Sequence, residues 1–241
     1  MKIPALSKIC TFGGLLTLLP SSLLADSLQD QLDARRAEFT ANAPAETIEE
    51  YNKGVQSVIE SGMLERALKV GDKAPDFTLN NATGQPVTLS KQLENAPVIL
   101  TWYRGSWCPY CNITLNAYQK SLPEFKAAGA QLLALTPELP DKSLTTSQKF
   151  KLDYQVLSDV DNQVAEKYKI VFKMSPWVEK AMREFADLKK YNGASYNDSQ
   201  LPLSATYIID QKGIIRWAFL DAEYRNRATS EQILAELKKL N

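Results

Sequence analysis

The 241-residue chain balances 28 lysine and arginine residues against 28 aspartate and glutamate, with 44% hydrophobic and 23% charged residues. That composition fits one sizeable globular domain with added segments; it excludes disordered and collagen-like classes and the strong field that draws in nucleic acid or an anionic membrane surface. The chain contains no histidine, so serine–histidine triads and histidine-ligated metals drop out, and cysteine is left as the most nucleophilic side chain near neutral pH.

Lys2 and Lys8, with an apolar stretch over 9–24, read as a signal peptide covering 1–25. Gly13, Gly14 and Pro20 interrupt the stretch, and it falls short of the roughly 20 apolar residues of a membrane-spanning helix. The expectation is export to the periplasm, with no membrane attachment after cleavage. Cys10 leaves with this segment, and the mature chain keeps two cysteines, three apart. Leu28, Leu32 and Phe39, then Ile48, Tyr51, Val55, Val58 and Ile59, fall at helical steps. They predict two amphipathic helices, divided at Ala43-Pro44 and stopped at Gly62, as a helical extension over 26–69.

From Val70 the pattern turns to short strands. Segments 77–79 and 87–89 about a turn at 82–84 predict a hairpin. The apolar run 98–103 predicts a strand buried on both faces, and the following helix carries Leu115, Tyr118, Leu122 and Phe125 on one side. Strand 131–135, helix 143–150, strand 155–157 and helix 162–168 continue the alternation. Residues 172–203 read as an insertion with a helical piece at 177–188 and a turn at Asn192-Gly193. A second hairpin, 205–209 with 214–220, and a final amphipathic helix bearing Ile233, Leu234, Leu237 and Leu240 complete the pattern. The order predicts an α/β domain over 70–241 with a thioredoxin-like fold: a central mixed sheet flanked by helices, with an N-terminal helical extension and an insertion near 172–203.

Trp107-Cys108-Pro109-Tyr110-Cys111 follows the buried strand and opens the next helix, the position of redox C-x-x-C pairs in such units. Free backbone N–H groups and the positive end of the macrodipole there favour a thiolate, below the free thiol value of about 8.5. Pro109 suits the first turn, where its missing N–H is not needed. Side chains three apart on a helix meet, so a Cys108–Cys111 disulfide can close and reopen with little backbone change. As a structural staple the same bridge would restrict the unfolded chain very little. Two thiols also fall short of the four ligands of a structural metal site. The expectation is redox chemistry at this pair, with no cofactor and no metal.

At these residues the chain resembles the alkyl hydroperoxide reductase and thiol-specific antioxidant family, the peroxiredoxins, in a branch with a Trp-Cys-Pro-Tyr-Cys centre. The resemblance spans about residues 45–240 and includes Gly71-Asp72-Lys73-Ala74-Pro75-Asp76-Phe77-Thr78-Leu79, Trp102-Tyr103-Arg104-Gly105 and Ala205-Thr206-Tyr207-Ile208-Ile209-Asp210. It implies a thiol peroxidase acting on hydrogen peroxide or organic hydroperoxides. One thiolate is oxidised to sulfenic acid, the second thiol condenses with it, and a thioredoxin-like reductant reopens the disulfide. The alternative is a thiol–disulfide oxidoreductase acting on exported proteins. A third reading, a carrier of Cu(I) on soft thiolates, is disfavoured by the lack of histidine and of nearby methionines.

The roles of the two cysteines stay open. Exposure at the helix end favours Cys108 as attacker, whereas laying the family's Pro-x-x-x-Thr-x-x-Cys pattern over the chain puts Arg104 at the proline, Cys108 at the threonine and Cys111 at the peroxide-reacting cysteine. Ser204 stands where relatives carry a proline before the Ala-Thr-Tyr strand, and serine rarely holds a cis bond. Arg104 is a candidate to stabilise a thiolate or charge developing on a peroxide oxygen. Arg227 matches a recurrent family position, and surface charge is the rival account. Trp102, Tyr103, Trp107 and Tyr110 read as packing first and an apolar approach second. Asp159 and Asp161 resemble the start of a calcium loop without its glycine, so helix capping is the better account.

Overall fold

The computed structural model describes residues 27–240; the signal-peptide expectation for 1–25 lies outside them. A capping box opens the first helix: the Ser27 side chain accepts the Asp30 N–H, and the Asp30 carboxylate accepts the Ser27 N–H. From it run α1 (Leu28–Asn42) and, beyond Pro44, α2 (Ala45–Glu60). Gly62, at φ 64°, then makes the left-handed turn into the short α3 (Met63–Arg66), a conformation that favours glycine. Both long helices lie where helical spacing predicted them. α1 packs on the helix after the cysteine motif, and α2 packs on a helix of the segment 172–203.

The first hairpin pairs β1 (Thr78–Asn80) with β2 (Pro86–Thr88) and leads through α4 (Leu89–Leu93) into β3 (Val98–Trp102). Then come α5 (Pro109–Ala127), β4 (Gln131–Thr136), α6 (Pro140–Phe150), β5 (Gln155–Ser158) and α7 (Gln163–Lys167). The segment that follows holds β6 (Val171–Lys173), α8 (Pro176–Phe185), α9 (Leu188–Asn192) and β7 (Gln200–Pro202), and the chain closes with β8 (Thr206–Ile209), β9 (Ile215–Phe219) and α10 (Ser230–Leu237). The central sheet has the order β5-β4-β3-β8-β9. β3 and β4 run parallel, as do β4 and β5, while β8 is antiparallel to both β3 and β9. This is the expected mixed sheet flanked by helices.

Alternation along the strands divides the core in two, because successive side chains point to opposite faces. Val98, Leu100 and Trp102 of β3 join Leu133, Leu135, Tyr207 and Ile209 on one face, under Val58 of α2 and Val164 and Ala165 of α7. Ile99 joins Leu132, Ala134 and Ile208 on the other, against Leu115, Tyr118 and Phe125 of α5, Ile233 and Leu237 of α10, and Leu28 and Leu32 of α1. Burial on both faces is why β3 reads as an unbroken apolar run.

The segment expected as an insertion differs in detail from its single helical piece at 177–188. Ser175 caps α8 with Pro176 in the first turn, and Ala186, at φ −146°, ends that helix before α9 begins. β6 and β7 pair antiparallel and clasp the two ends of the segment together. Each has only three residues, too short for an alternating pattern to show.

Candidate active site

The site begins where β3 ends. Tyr103 and Arg104 continue the chain, and Gly105, at φ 152°, turns it so that the Trp107 indole folds back over the loop; a β-carbon at position 105 would collide with that ring. Cys108 is the N-cap of α5, in extended conformation, and Pro109 occupies the first turn. The Cys111 N–H donates to Cys108 Sγ at 3.4 Å, so the first sulfur satisfies one of the free donors of the helix start. Both cysteines are free thiols, and both are 0% exposed. That burial corrects the expectation that Cys108 is exposed at the helix end. The local rule for a helix start was overridden by tertiary cover, because the Trp107 loop and the segment 222–228 close over the first turn of α5.

Two guanidinium groups converge on the sulfurs. Arg104 Nη2 donates to Cys108 Sγ at 3.2 Å, and Arg227 Nη2 donates to Cys111 Sγ at 3.6 Å. The Arg104 guanidinium lies between two rings, 4.4 Å from the centroid of Tyr224 and 5.3 Å from that of Trp107. Arg227 is fixed by main-chain oxygens, donating to the carbonyls of Tyr224 and Asn226. The loop that carries Tyr224 and Arg227 is in turn tied to the N-terminal helices. Arg36 of α1 donates to Asn226 Oδ1 at 2.8 Å, and Arg225, paired with Glu223 at 2.5 Å, donates to Asn52 Oδ1 of α2 at 3.1 Å. Residues far apart in sequence are thereby held over the thiols.

Both sulfurs are buried and lie together, and their thiols are shifted in opposite directions. Burial pushes the Cys111 thiol up, but hydrogen bonding from Cys108, the charges of Arg227 and Arg104 and the Arg104 main-chain N–H outweigh it, and the thiol ends well below its ordinary value. Burial raises Cys108 well above its ordinary value; its bond to Cys111 adds to the rise, and the opposing pull of Arg104 does not overcome the two. These shifts favour a Cys111 thiolate with Cys108 as the neighbouring proton donor, while the two shorter donor contacts, from Arg104 at 3.2 Å and the Cys111 N–H at 3.4 Å, go to the Cys108 sulfur.

A buried carboxylate lies behind the motif. Glu138, just after β4, accepts from Ser106 N at 2.9 Å, Ser106 Oγ at 2.6 Å and the Tyr103 hydroxyl at 3.3 Å. Burial raises its pKa, against the pull of the Ser106 donors. Asn112 donates to the Ser106 carbonyl at 2.8 Å and pins the same loop from the α5 side. Sequence reading missed Glu138, Ser106 and Tyr224. The signal available for Glu138 was its place just beyond the carboxyl end of a strand parallel to β3, where ligands and catalytic groups gather in α/β sheets.

Of the remaining candidates, Trp102 faces the core away from the thiols, in contact with Tyr168 and Tyr207. Tyr103 is buried beside Glu138, while Trp107 and Tyr110 border a cavity next to the cysteines. Asp159 accepts from the Val164 and Ala165 N–H groups at 2.7 and 2.9 Å and so caps α7, as read. Ser204 is buried with its hydroxyl unpartnered in the structure, and the described peptide bonds, including the one before it, are trans. Among the described residues, no three cysteine, aspartate or glutamate side chains gather as a metal site.

Paired thiols opening a helix from the central strand of this sheet place the molecule among thioredoxin-fold redox proteins. Within that class the AhpC/TSA family profile matches residues 70–218, and the chain belongs to that family. It is 28% identical over 159 residues to peroxiredoxin Bcp of Escherichia coli (strain K12), covering 66% of this chain and 90% of that one. It is 26% identical over 231 residues to the chloroplastic peroxiredoxin Q of Arabidopsis thaliana, covering 96% of this chain and 94% of the other. The crystal structure of peroxidoxin BcpB from Mycobacterium tuberculosis matches with a TM-score of 0.56 at 20% identity over 72% of this chain and 99% of that chain, a likeness of fold.

Proposed function

We propose that this chain is a thiol peroxidase that reduces hydrogen peroxide or organic hydroperoxides through a Cys108–Cys111 dithiol cycle. The observation that carries it is the convergence of Arg104 and Arg227 on the two buried sulfurs, at 3.2 and 3.6 Å. Cations there hold a thiolate and then stabilise the charge that grows on the departing oxygen.

In the first step the Cys111 thiolate attacks the terminal peroxide oxygen. An S–O bond forms as the O–O bond breaks; the sulfur becomes sulfenic acid, and the departing oxygen takes a proton from solvent to leave as water or alcohol. In the second step the Cys108 sulfur attacks Cys111, the new S–S bond expels the hydroxyl, and the Cys108 proton completes a water molecule. A dithiol reductant of the thioredoxin class then returns two electrons and two protons. Because both sulfurs are fully covered, a small oxidant reaches them more readily than a protein disulfide does, which favours peroxidase over protein–disulfide chemistry. Re-reduction by a protein requires the first turn of α5 to open.

Lys2, Lys8 and the apolar run over 9–24 support export to the periplasm, and N-terminal sequencing of the mature protein tests it. For the activity, the decisive measurement sets peroxide consumption by the reduced protein against its rate of reducing a protein disulfide. Fast peroxide consumption with slow disulfide exchange is the expected result, and the reverse order overturns the reading.

A further inference from the structure

A cavity of about 160 Å³ opens next to the cysteine motif, walled by Tyr51 and Val55 of α2, by Val178 and Met182 of α8, and by Arg104 and Trp107. Arg104 is the link to the chemistry, since the same guanidinium that lines the cavity touches Cys108 Sγ at 3.2 Å. The walls are mostly apolar, although Arg35 and Ser175 also line them. Phe185, 63% exposed, also borders the cavity and extends its apolar surface outward.

One wall of the cavity comes from helices outside the family match. α1 and α2 precede the family match, which starts at residue 70. α2 approaches α8 closely only because position 54 is glycine; a β-carbon there would lie 2.7 Å from Val178 Cγ2. Asn52 and Arg36 bind the helices to the loop that carries Tyr224 and Arg227, so this wall is fixed relative to the sulfurs.

Hydrogen peroxide has no group to place in such a space. An enclosed apolar cavity of roughly 150 Å³ takes up benzene-sized molecules; this one has comparable room but opens to the surface, and the apolar area a ligand removes from water there favours the bound state. We propose that this cavity is a subsite for the organic group of an aryl or branched-alkyl hydroperoxide, with the peroxide group placed at Arg104, the residue that joins the cavity wall to the buried cysteine pair. The proposal rests on the peroxidase reading and names the substrate class for it. The products are the cavity-sized alcohol and the Cys111 sulfenic acid, by the balanced step given above.

Two readouts on the full chain separate the subsite from the chemistry. In the first, kcat/KM of the reduced protein is measured for cumene hydroperoxide and for hydrogen peroxide. The expected ratio favours cumene hydroperoxide by about tenfold or more, and Val178→Phe or Val55→Phe, filling the cavity from opposite walls, each lowers that ratio by about tenfold. In the second, 2-phenyl-2-propanol, the alcohol product, is titrated into the Cys108→Ser/Cys111→Ser protein by NMR; saturable binding that Val178→Phe abolishes is expected. Turnover of hydrogen peroxide with no preference and no alcohol binding overturns the subsite and leaves the peroxidase reading standing. Alcohol binding with neither peroxide consumed overturns the peroxidase reading and reduces the cavity to a site for apolar molecules. A preference that both variants leave unchanged, with only re-reduction by thioredoxin slowed, overturns the subsite by assigning the groove to the reductant.

Discussion

The Tyr118 hydroxyl donates to the Ala228 carbonyl across 2.7 Å, joining the middle of α5 to the residue that follows Arg227. One helix therefore sets both halves of the site, since its first turn carries the sulfurs and its middle holds the loop whose arginine faces Cys111. Tyr118→Phe keeps the ring and removes the donor. A buried carbonyl left without a partner costs about 1–3 kcal/mol, which urea denaturation reads directly. Loosening Arg227 also raises the Cys111 thiol pKa, followed by thiolate absorbance near 240 nm. Lost stability with an unmoved thiolate titration would reduce Tyr118 to a strut with no part in tuning the sulfur.

The cysteine variants should behave differently from each other. In Cys108→Ser the hydroxyl donates to Cys111 as the thiol did, so a single thiolate is expected with a pKa below the free value of about 8.5, and peroxide converts it to a sulfenic acid that dimedone traps. In Cys111→Ser the remaining thiol keeps the burial that raises Cys108 and loses only the part of the rise that Cys111 adds, so a smaller thiolate fraction at neutral pH and less trapped sulfenic acid than in Cys108→Ser are expected. The stability linkage has a definite sign. Cys111 titrates lower folded than unfolded, so its contribution is full above the unfolded thiol pKa and fades as pH falls through the folded one. The stability difference between the native chain and Cys111→Ser should shrink steadily on acidification across that window. The opposite trapping pattern, with adduct only in Cys111→Ser, hands the attack to Cys108.

Arg227 and Arg104 touch different sulfurs and should fail differently. Arg227→Met removes the cation 3.6 Å from Cys111 Sγ, one of the charges that hold that thiol down, and is expected to raise its pKa. The rate loss in that variant should be recovered at higher pH. Arg104→Lys keeps a charge but gives up the planar group between Tyr224 and Trp107, a contact an ammonium does not reproduce. Its kcat/KM for peroxide is expected to drop about tenfold or more, without recovery at high pH, because what is lost is aim at the departing oxygen. Full recovery of Arg104→Lys at alkaline pH would mean that it acts on thiolate formation alone.

Local rules made part of this legible from sequence. The unbroken apolar run of β3 announces burial on both faces, and Cys108-Pro109 after it announces a helix start, because cap and first turn depend on neighbours only. Arg104 was within reach for the same reason, four residues from Cys108. What the sequence could not display was pairing over distance. Tyr224 lies 120 positions from the guanidinium it covers, and Glu138 is separated from Ser106 by a whole helix and strand. The exposure expected of Cys108 went wrong for a related reason: helix-start rules describe one element, whereas its cover comes from the loop 222–228, which α1, α2 and α5 hold in place. The β6–β7 clasp escaped notice because three-residue strands carry no period.

Glu138 offers a way to separate geometry from charge. Glu138→Gln keeps an oxygen for the Ser106 N–H and hydroxyl, whereas Glu138→Ala leaves both without their acceptor; the alanine variant should lose about 1–3 kcal/mol by denaturant unfolding. Burial raises the folded pKa of Glu138, so its contribution to stability is greatest below the unfolded carboxyl value of about 4.3 and is lost as pH rises through the folded value. Removing the titrating group in Glu138→Gln should therefore flatten the stability profile over that acidic window. The negative charges of Glu138 and Cys111 also oppose each other, so the glutamine variant should lower the Cys111 thiol pKa further and speed alkylation by iodoacetamide in mildly acidic buffer. A raised thiol pKa in Glu138→Gln, with the fold intact, would mean that the carboxylate accepts the thiol proton instead of opposing its loss.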